Sequence, residues 1–321
     1  MDSVIRVLVA ILLLAMALAM PVSARAQQET TADVGRVIGR AIAAGVVLSS
    51  NDFAAAGNYQ VDDDAASTFR VSHVGYRRSF EKEGRRLSPF LDVSLGRVVV
   101  DQHLDLGGPV RDDSRFETKG GRVLGGVRIP IHASWFVQAG AALEYSWVES
   151  DLTYRSPETE ALAPIYDGIL FNWKAEALTT IGTAIFGYHR EGGEDRLTAD
   201  AGIQWLGLRT DPVKVDDPVQ DVTVSSDYER IYAVFDVPTG VSAWKRPLRV
   251  VPSIAWTHLG SALADPLDSN DFTEVGCTVA ALMRTGGRKF LLERIGFSAS
   301  YTHADAFDGW SFGVVFSRWF P

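Results

Sequence analysis

Residues 134–147 read SWFVQAGAALEYSW. Every second residue, Trp135, Val137, Ala139, Ala141, Leu143, Tyr145 and Trp147, is apolar or aromatic. Between them stand Phe136, Gln138, Gly140, Ala142, Glu144 and Ser146, mostly small or polar. Successive side chains of a strand point to opposite faces, so this period of two predicts a strand with one apolar face. It is long: strands of water-soluble proteins usually have about five or six residues. From Trp135 to Tyr145, at about 3.3 Å per residue and a tilt near about 40°, it covers about 25 Å, the height of the apolar band on a membrane-spanning barrel. Aromatic rings sit at both ends of the face, where amphipathic side chains meet lipid headgroups.

The same alternation recurs along the chain. RLTADAGIQW sets Leu197, Ala199, Ala201, Ile203 and Trp205 against Arg196, Thr198, Asp200, Gly202 and Gln204. PLRVVPSIAW sets Leu248, Val250, Pro252, Ile254 and Trp256 against Arg249, Val251, Ser253 and Ala255. ERIGFSASYT sets Ile295, Phe297, Ala299 and Tyr301 against Arg294, Gly296, Ser298, Ser300 and Thr302. The pattern predicts strands at 67–79, 88–100, 115–129, 134–148, 175–190, 196–209, 222–236, 246–259, 272–284, 290–302 and 310–320. Short connections (EKEGRR, PIHA, EGGE, RTGGRK and the somewhat longer PTGVSAWKR) alternate with longer polar ones. The longer ones are DQHLDLGGPVRDDS, ESDLTYRSPETEALAPIYDG, TDPVKVDDPVQD, GSALADPLDSND and HADAFDG. Short periplasmic turns and long external loops give outer-membrane barrels this rhythm. Even strand number then requires one more strand, and VIGRAIAAGVVLS at 37–49 is assigned to it, although its apolar residues also fit a helical spacing.

Composition agrees with an exported membrane barrel. The start, MDSVIRVLVAILLLAMALAMPVSARA, has Arg6, an apolar run from Val7 to Met20, and Ala24-Arg25-Ala26 as a cleavage site. It reads as a signal peptide over 1–26, leaving 27–36 as a short periplasmic segment and 37–321 as the barrel. No later run reaches the roughly 20 apolar residues of a spanning helix. Without the signal the chain has 29 basic and 39 acidic residues, which argues against a nucleic-acid partner. Cys277 is the single cysteine, so no intrachain disulfide forms, and it lies on an apolar face suited to packing or lipid contact. The expected fold is all-β: a transmembrane antiparallel up-and-down β-barrel of about 12 strands.

The last stretch, GWSFGVVFSRWFP, directs Phe312, Val314, Phe316 and Phe320 outward, with Arg318 long enough to snorkel. A final strand closing on an aromatic residue is similar to the signal by which barrel-assembly machinery recognises its clients, here with Phe320 followed by Pro321. In strand number, size and this closing Gly313–Phe316–Phe320 strand, the chain resembles the β-domain of autotransporters, and more narrowly the solitary barrels that lack a passenger. The resemblance implies an outer-membrane location and an anchoring or interaction role. With about ten residues between Gln27 and the first assigned segment, passenger secretion is the function least expected to persist.

Candidate chemistry is sparse. Ser298, Ser300, His303, Asp305 and Asp308 cluster in sequence, but a nucleophile needs its base within hydrogen-bond reach, and the serines face the lumen while His303 begins a loop. Asp101, His103 and Asp105, and Asp62, Asp63 and Asp64, offer oxygen ligands without calcium-loop spacing. The glycines from Gly120 to Gly126 lie in a strand rather than before a helix, so they are expected to relieve crowding, not cradle phosphate. No enzyme activity, cofactor or metal is expected. The charges expected to line the lumen are Asp92, Arg122, Arg128, Glu144, Asp200, Arg230, Asp236, Arg249, Glu274 and Arg294. Their mixed signs favour pairing and a closed interior; a narrow pore for ions or solutes is the alternative. Trp135, Tyr145, Trp147, Trp205, Trp256, Tyr301 and Phe320 are the expected interface aromatics. The expected partners are outer-membrane lipids, lipopolysaccharide at the external loops, and the assembly machinery at the last strand.

Overall fold

The computed structural model describes residues 54–61, 67–80, 87–107, 109–169, 171–190, 196–217, 221, 223–264, 269–283 and 294–317. Twelve antiparallel strands close into one barrel, each pairing with its neighbours in sequence and the first with the last. They are β1 (Ala54–Val61), β2 (Thr68–Ser79), β3 (Ser88–Leu104), β4 (Asp112–Pro130), β5 (Trp135–Thr153) and β6 (Trp173–Arg190). The circuit continues with β7 (Thr198–Val215), β8 (Val224–Ala243), β9 (Arg246–Leu259), β10 (Asp271–Leu282), β11 (Arg294–Ala304) and β12 (Phe307–Ser317). Among the described residues, three helical turns lie in the connections: α1 (Pro157–Glu160), α2 (Ala163–Tyr166) and α3 (Ser261–Ala264).

The twelfth strand demanded by parity is present, but β1 at Ala54–Val61 occupies the place between β12 and β2. The segment 37–49, the signal peptide at 1–26, the segment 27–36 and Phe320 lie outside the described residues. The other strands fall near their expected positions, and several run further. β3 extends to Leu104, β4 begins at Asp112 and β7 reaches Val215, so much of the expected loop sequence is barrel wall. HADAFDG forms no long loop, because only Asp305 and Ala306 separate β11 from β12. In PTGVSAWKR the strands run on to Ala243 and resume at Arg246, and the turn is made by Trp244 and Lys245 at φ 50° and 63°. Two positive-φ residues between strands are the geometry whose twist matches a hairpin.

We call the end of the barrel bearing this turn and the last residues of β12 proximal, and the other end distal. Through the middle of the wall the outward side chains are apolar and exposed: Leu91, Val93, Leu95, Val123, Leu143, Ile231, Ile254, Val275, Val279 and Phe297. Cys277 is on this outer face too. Above the band, outward positions become charged. Arg70, Arg97, Arg115, Glu117, Lys119, Glu149, Asp151, Lys174, Glu176, Arg209, Asp211, Lys214, Glu229 and Asp271 form a distal collar. Its pairs include Lys119–Glu117 at 2.9 Å, Arg209–Asp211 at 3.0 Å and His258–Asp271 at 2.9 Å.

The inward face changes in the opposite sense. Polar and charged in the band, it becomes apolar at the distal end: Phe69, Val98, Val100, Phe116, Val148, Trp173, Leu208, Tyr228, Leu259, Phe272 and Phe307 belong to one buried cluster. All twelve strands contribute to that cluster, and Leu263 of α3 joins it. Hydrocarbon outside demands an apolar outer face, and water outside permits the reverse arrangement, with charges out and a core in. The switch places the membrane boundary at the upper aromatics. Leu143, 56% exposed, stands in the middle of the β5 apolar face. Leu143→Arg is expected to cost about 2–4 kcal/mol in denaturant unfolding from bilayers, whereas Asp151→Arg on the collar should change stability by less than about 0.5 kcal/mol.

Candidate functional site: the barrel lumen and its two rims

All ten charges assigned to the lumen lie on inward positions of their strands. Near the proximal end Asp236 accepts hydrogen bonds from Arg249 and Arg294, so one carboxylate joins β8, β9 and β11. Arg249, 3% exposed along its side chain, also donates to the carbonyls of Arg196 and Asp236, at 2.8 and 2.9 Å. Asp200 contacts His189 Nδ1 at 2.7 Å. Higher in the lumen Arg122 lies 3.6 Å from Asp92 and directly across the β4–β5 ladder from Glu144. Arg230 lies 3.9 Å from Glu274. Arg128 stacks on the Phe136 ring at 3.6 Å, and Arg77 on the Phe90 ring at 4.4 Å. Those two rings lie against glycines: a Cβ on Gly126 would meet Phe90 at 2.4 Å, and one on Gly187 would meet Phe136 at 2.3 Å. Glycine here lets an aromatic ring lie flat on the inner wall and carry a guanidinium. A cavity of about 160 Å³ remains mid-lumen, bordered by Arg77, Asp92, Arg122, Arg230, Tyr232 and Glu274.

The aromatic residues sort into two belts. Trp135 stacks with Phe186 at 5.2 Å near the proximal end. On the same strand, Tyr145 and Trp147 meet edge to face at 5.0 Å at the other end of the apolar run. Trp256 lies beside His258, and Tyr301 packs on Trp310 at 4.8 Å. Trp205 is exposed on the outer face opposite Glu229 of the collar. Phe186, Tyr188 and Trp310 belong to the belts and were not singled out in the sequence, although they carry the same alternation.

At the distal rim the long connection 154–172 is held to the wall by Asp112, which is fully buried. Its Oδ1 accepts from the Arg155 amide at 2.6 Å and the Thr159 hydroxyl at 2.9 Å. Ser156 and Thr159 cap α1 reciprocally. Tyr154 donates to Asp167 at 2.8 Å, and Asn172, at φ 52°, donates to the same oxygen at 2.7 Å. Burial, then the Asp167 carboxylate, pushes the Tyr154 phenol above its ordinary value, so that hydrogen bond persists in mildly alkaline solution.

The other candidates do not assemble. Ser298 and Ser300 face inward, and Ser300 shares a hydrogen bond with Ser311 at 2.7 Å. His303 stands on β11 rather than opening a loop, and it points outward, stacked near Tyr301. The serines and the histidine are thus on opposite faces of one strand. Asp101 accepts from Arg70, His103 lies 2.9 Å from Asp113, and Asp105 accepts from the Gly107 amide at 2.9 Å. Asp62, Asp63 and Asp64 lie outside the described residues.

A family model described as the solitary outer membrane autotransporter beta-barrel domain matches residues 40–318. The chain belongs to that family. It is an outer-membrane β-barrel protein. The translocator domain of the autotransporter NalP from Neisseria meningitidis is similar in fold, with 12% identity, a TM-score of 0.50, and coverage of 89% of this chain and 95% of that one. The β-domain of the Bordetella autotransporter BrkA matches at 14% identity and TM-score 0.49, covering 81% and 94%. The transport unit of AIDA-I from Escherichia coli matches at 9% identity and TM-score 0.49, covering 91% and 100%. No curated protein matches the chain significantly.

Arg249 offers the sharpest test of the lumen. Arg249→Ala leaves Asp236 buried with one cation fewer and is expected to cost about 3–5 kcal/mol in chemical unfolding. Arg209→Ala, on the exposed collar, should cost no more than about 1 kcal/mol.

Proposed function

We propose that this barrel is a closed outer-membrane anchor whose distal end faces the cell exterior and serves a structural or interaction role. The observation that carries the reading is the distal apolar cluster, to which every strand of the barrel contributes. Water-filled pores are lined by polar side chains along their length. An apolar distal interior disfavours a continuous column of water and ions. The charge pairs below it add to the barrier, because they satisfy one another between nearby strands instead of facing a permeant solute. Assembly through the last strand fits the closing role of β12, whose pairing with β1 completes the wall. The reading assigns no catalysis: Ser298 and Ser300 border the mid-lumen cavity, while His303 points outward from the same strand.

Planar-bilayer recording of the folded, detergent-extracted protein tests this directly. A silent barrel is expected, with no discrete current steps across a wide voltage range. Reproducible single-channel steps from the wild-type protein would overturn the closed reading and make the small channel the better account.

A further inference from the structure

The outer wall carries a groove that the lumen does not explain. It has a volume of about 960 Å³ and runs from β12 over β1, β2 and β3 to Arg115 of β4. Its floor is the outward face of β1, with Ala56, Asn58 and Gln60, together with Ser72 of β2. One flank is Trp310 and Phe312; the other is Arg70, Arg97 and Arg115. The depression follows from sequence, since β1 alone among its neighbours offers only small or amide side chains to the outside.

Height and charge both define what fits. Trp310, Asn58 and Arg70 share one rung of the sheet, so the arginines stand beside the upper aromatic belt. Toward the proximal end the flanks turn apolar at Phe312, Val74 and Leu95. Glu117 is shared by three cations, Arg97, Arg115 at 3.7 Å and Lys119 at 2.9 Å, so one carboxylate faces three positive charges. Arg70 pairs with Asp101, and Asp308 at the β12 rim accepts from Tyr301 at 3.3 Å. The Arg70–Asp101 pair is exposed and weak enough to exchange for a better anion, and Arg97 and Arg115, each about half exposed, share the one Glu117 carboxylate and keep guanidinium edges turned to the outside. Guanidinium groups hold phosphate oxygens in a two-pronged fashion.

We propose that this groove binds the phosphorylated sugar headgroup of an outer-leaflet glycolipid. Phosphate sits on Arg70, Arg97 and Arg115, the sugar lies over Asn58, Gln60 and the Trp310 ring, and acyl chains run down past Phe312, Val74 and Leu95. Amides and an aromatic face suit a sugar, whereas a plain phospholipid would use the arginines alone. The assignment rests on the distal end facing outward, as in the reading above, but not on the lumen being closed.

The test measures binding of lipid A to the folded barrel in detergent by native mass spectrometry. The R70A/R97A/R115A variant is compared with R209A/K174A/K214A, which removes three collar charges elsewhere. Heat-modifiable migration checks that each variant is folded. Wild type and the collar control should retain one lipid A, the groove variant should bind about tenfold more weakly or worse, and lipid A lacking its phosphates should bind poorly to all three. Equal binding by the groove variant would overturn the site, and so would equal competition by phosphatidylglycerol, which would mean an unspecific anionic surface. Current through the wild-type barrel would sink the closed-lumen reading and leave this result standing. Binding lost equally in both variants would show that general collar charge, not the groove, holds the lipid.

Discussion

Hydrocarbon offers no hydrogen bonds to a peptide group, and this constraint shapes the whole molecule. Every backbone amide and carbonyl in the apolar band needs a partner within the protein, which an open sheet cannot provide at its edges. Closure through β1 and β12 removes the edges, and the pairing of Ala54–Val61 with Phe307–Val314 is the seam. β1 has few apolar side chains to contribute, so what secures it is backbone pairing on both sides. The same poverty of side chains leaves the groove on its outer face.

Two solvents then act on one continuous wall. Within the bilayer the outside must be apolar, and the inside is left to polar groups that have to satisfy one another. Asp236 with Arg249 and Arg294, Asp92 with Arg122, and Arg230 with Glu274 do this across strands. Beyond the upper aromatics the strands continue into water and the requirement reverses. There the fold resembles a soluble barrel, with ion pairs outside and Phe116, Trp173 and Phe307 inside. Phe116 and Trp173 meet edge to face at 5.7 Å, a contact typical of protein cores.

Fold and location were legible because alternation of period two survives any tilt of the strand. Ends such as Trp135 and Trp147 on β5 marked the belts as well. What was not legible follows from the reversal. Past Trp147 the outward residues are Glu149 and Asp151 and the inward ones Val148 and Leu152. The period continues but the apolar face changes sides, and a reading that follows one apolar face sees a loop. The distal tops of β3, β4 and β7 were lost in the same way. β1 was missed for a different reason: AAAGNYQV has almost no contrast between its faces, while the segment 37–49 is far more apolar.

The polarity reversal is the central claim, and spin-label accessibility along β5 tests it most directly. Single cysteines at Leu143, Val148, Glu149, Asp151 and Leu152, in a Cys277→Ser background, would be labelled and the protein placed in bilayers. Leu143 should favour oxygen over an aqueous nickel chelate, Glu149 and Asp151 the chelate, and Val148 and Leu152 should be shielded from both. Chelate access at Val148 and Leu152 would mean a water-filled distal lumen, and oxygen preference at Glu149 and Asp151 would put the collar in the membrane; either result would contradict the account.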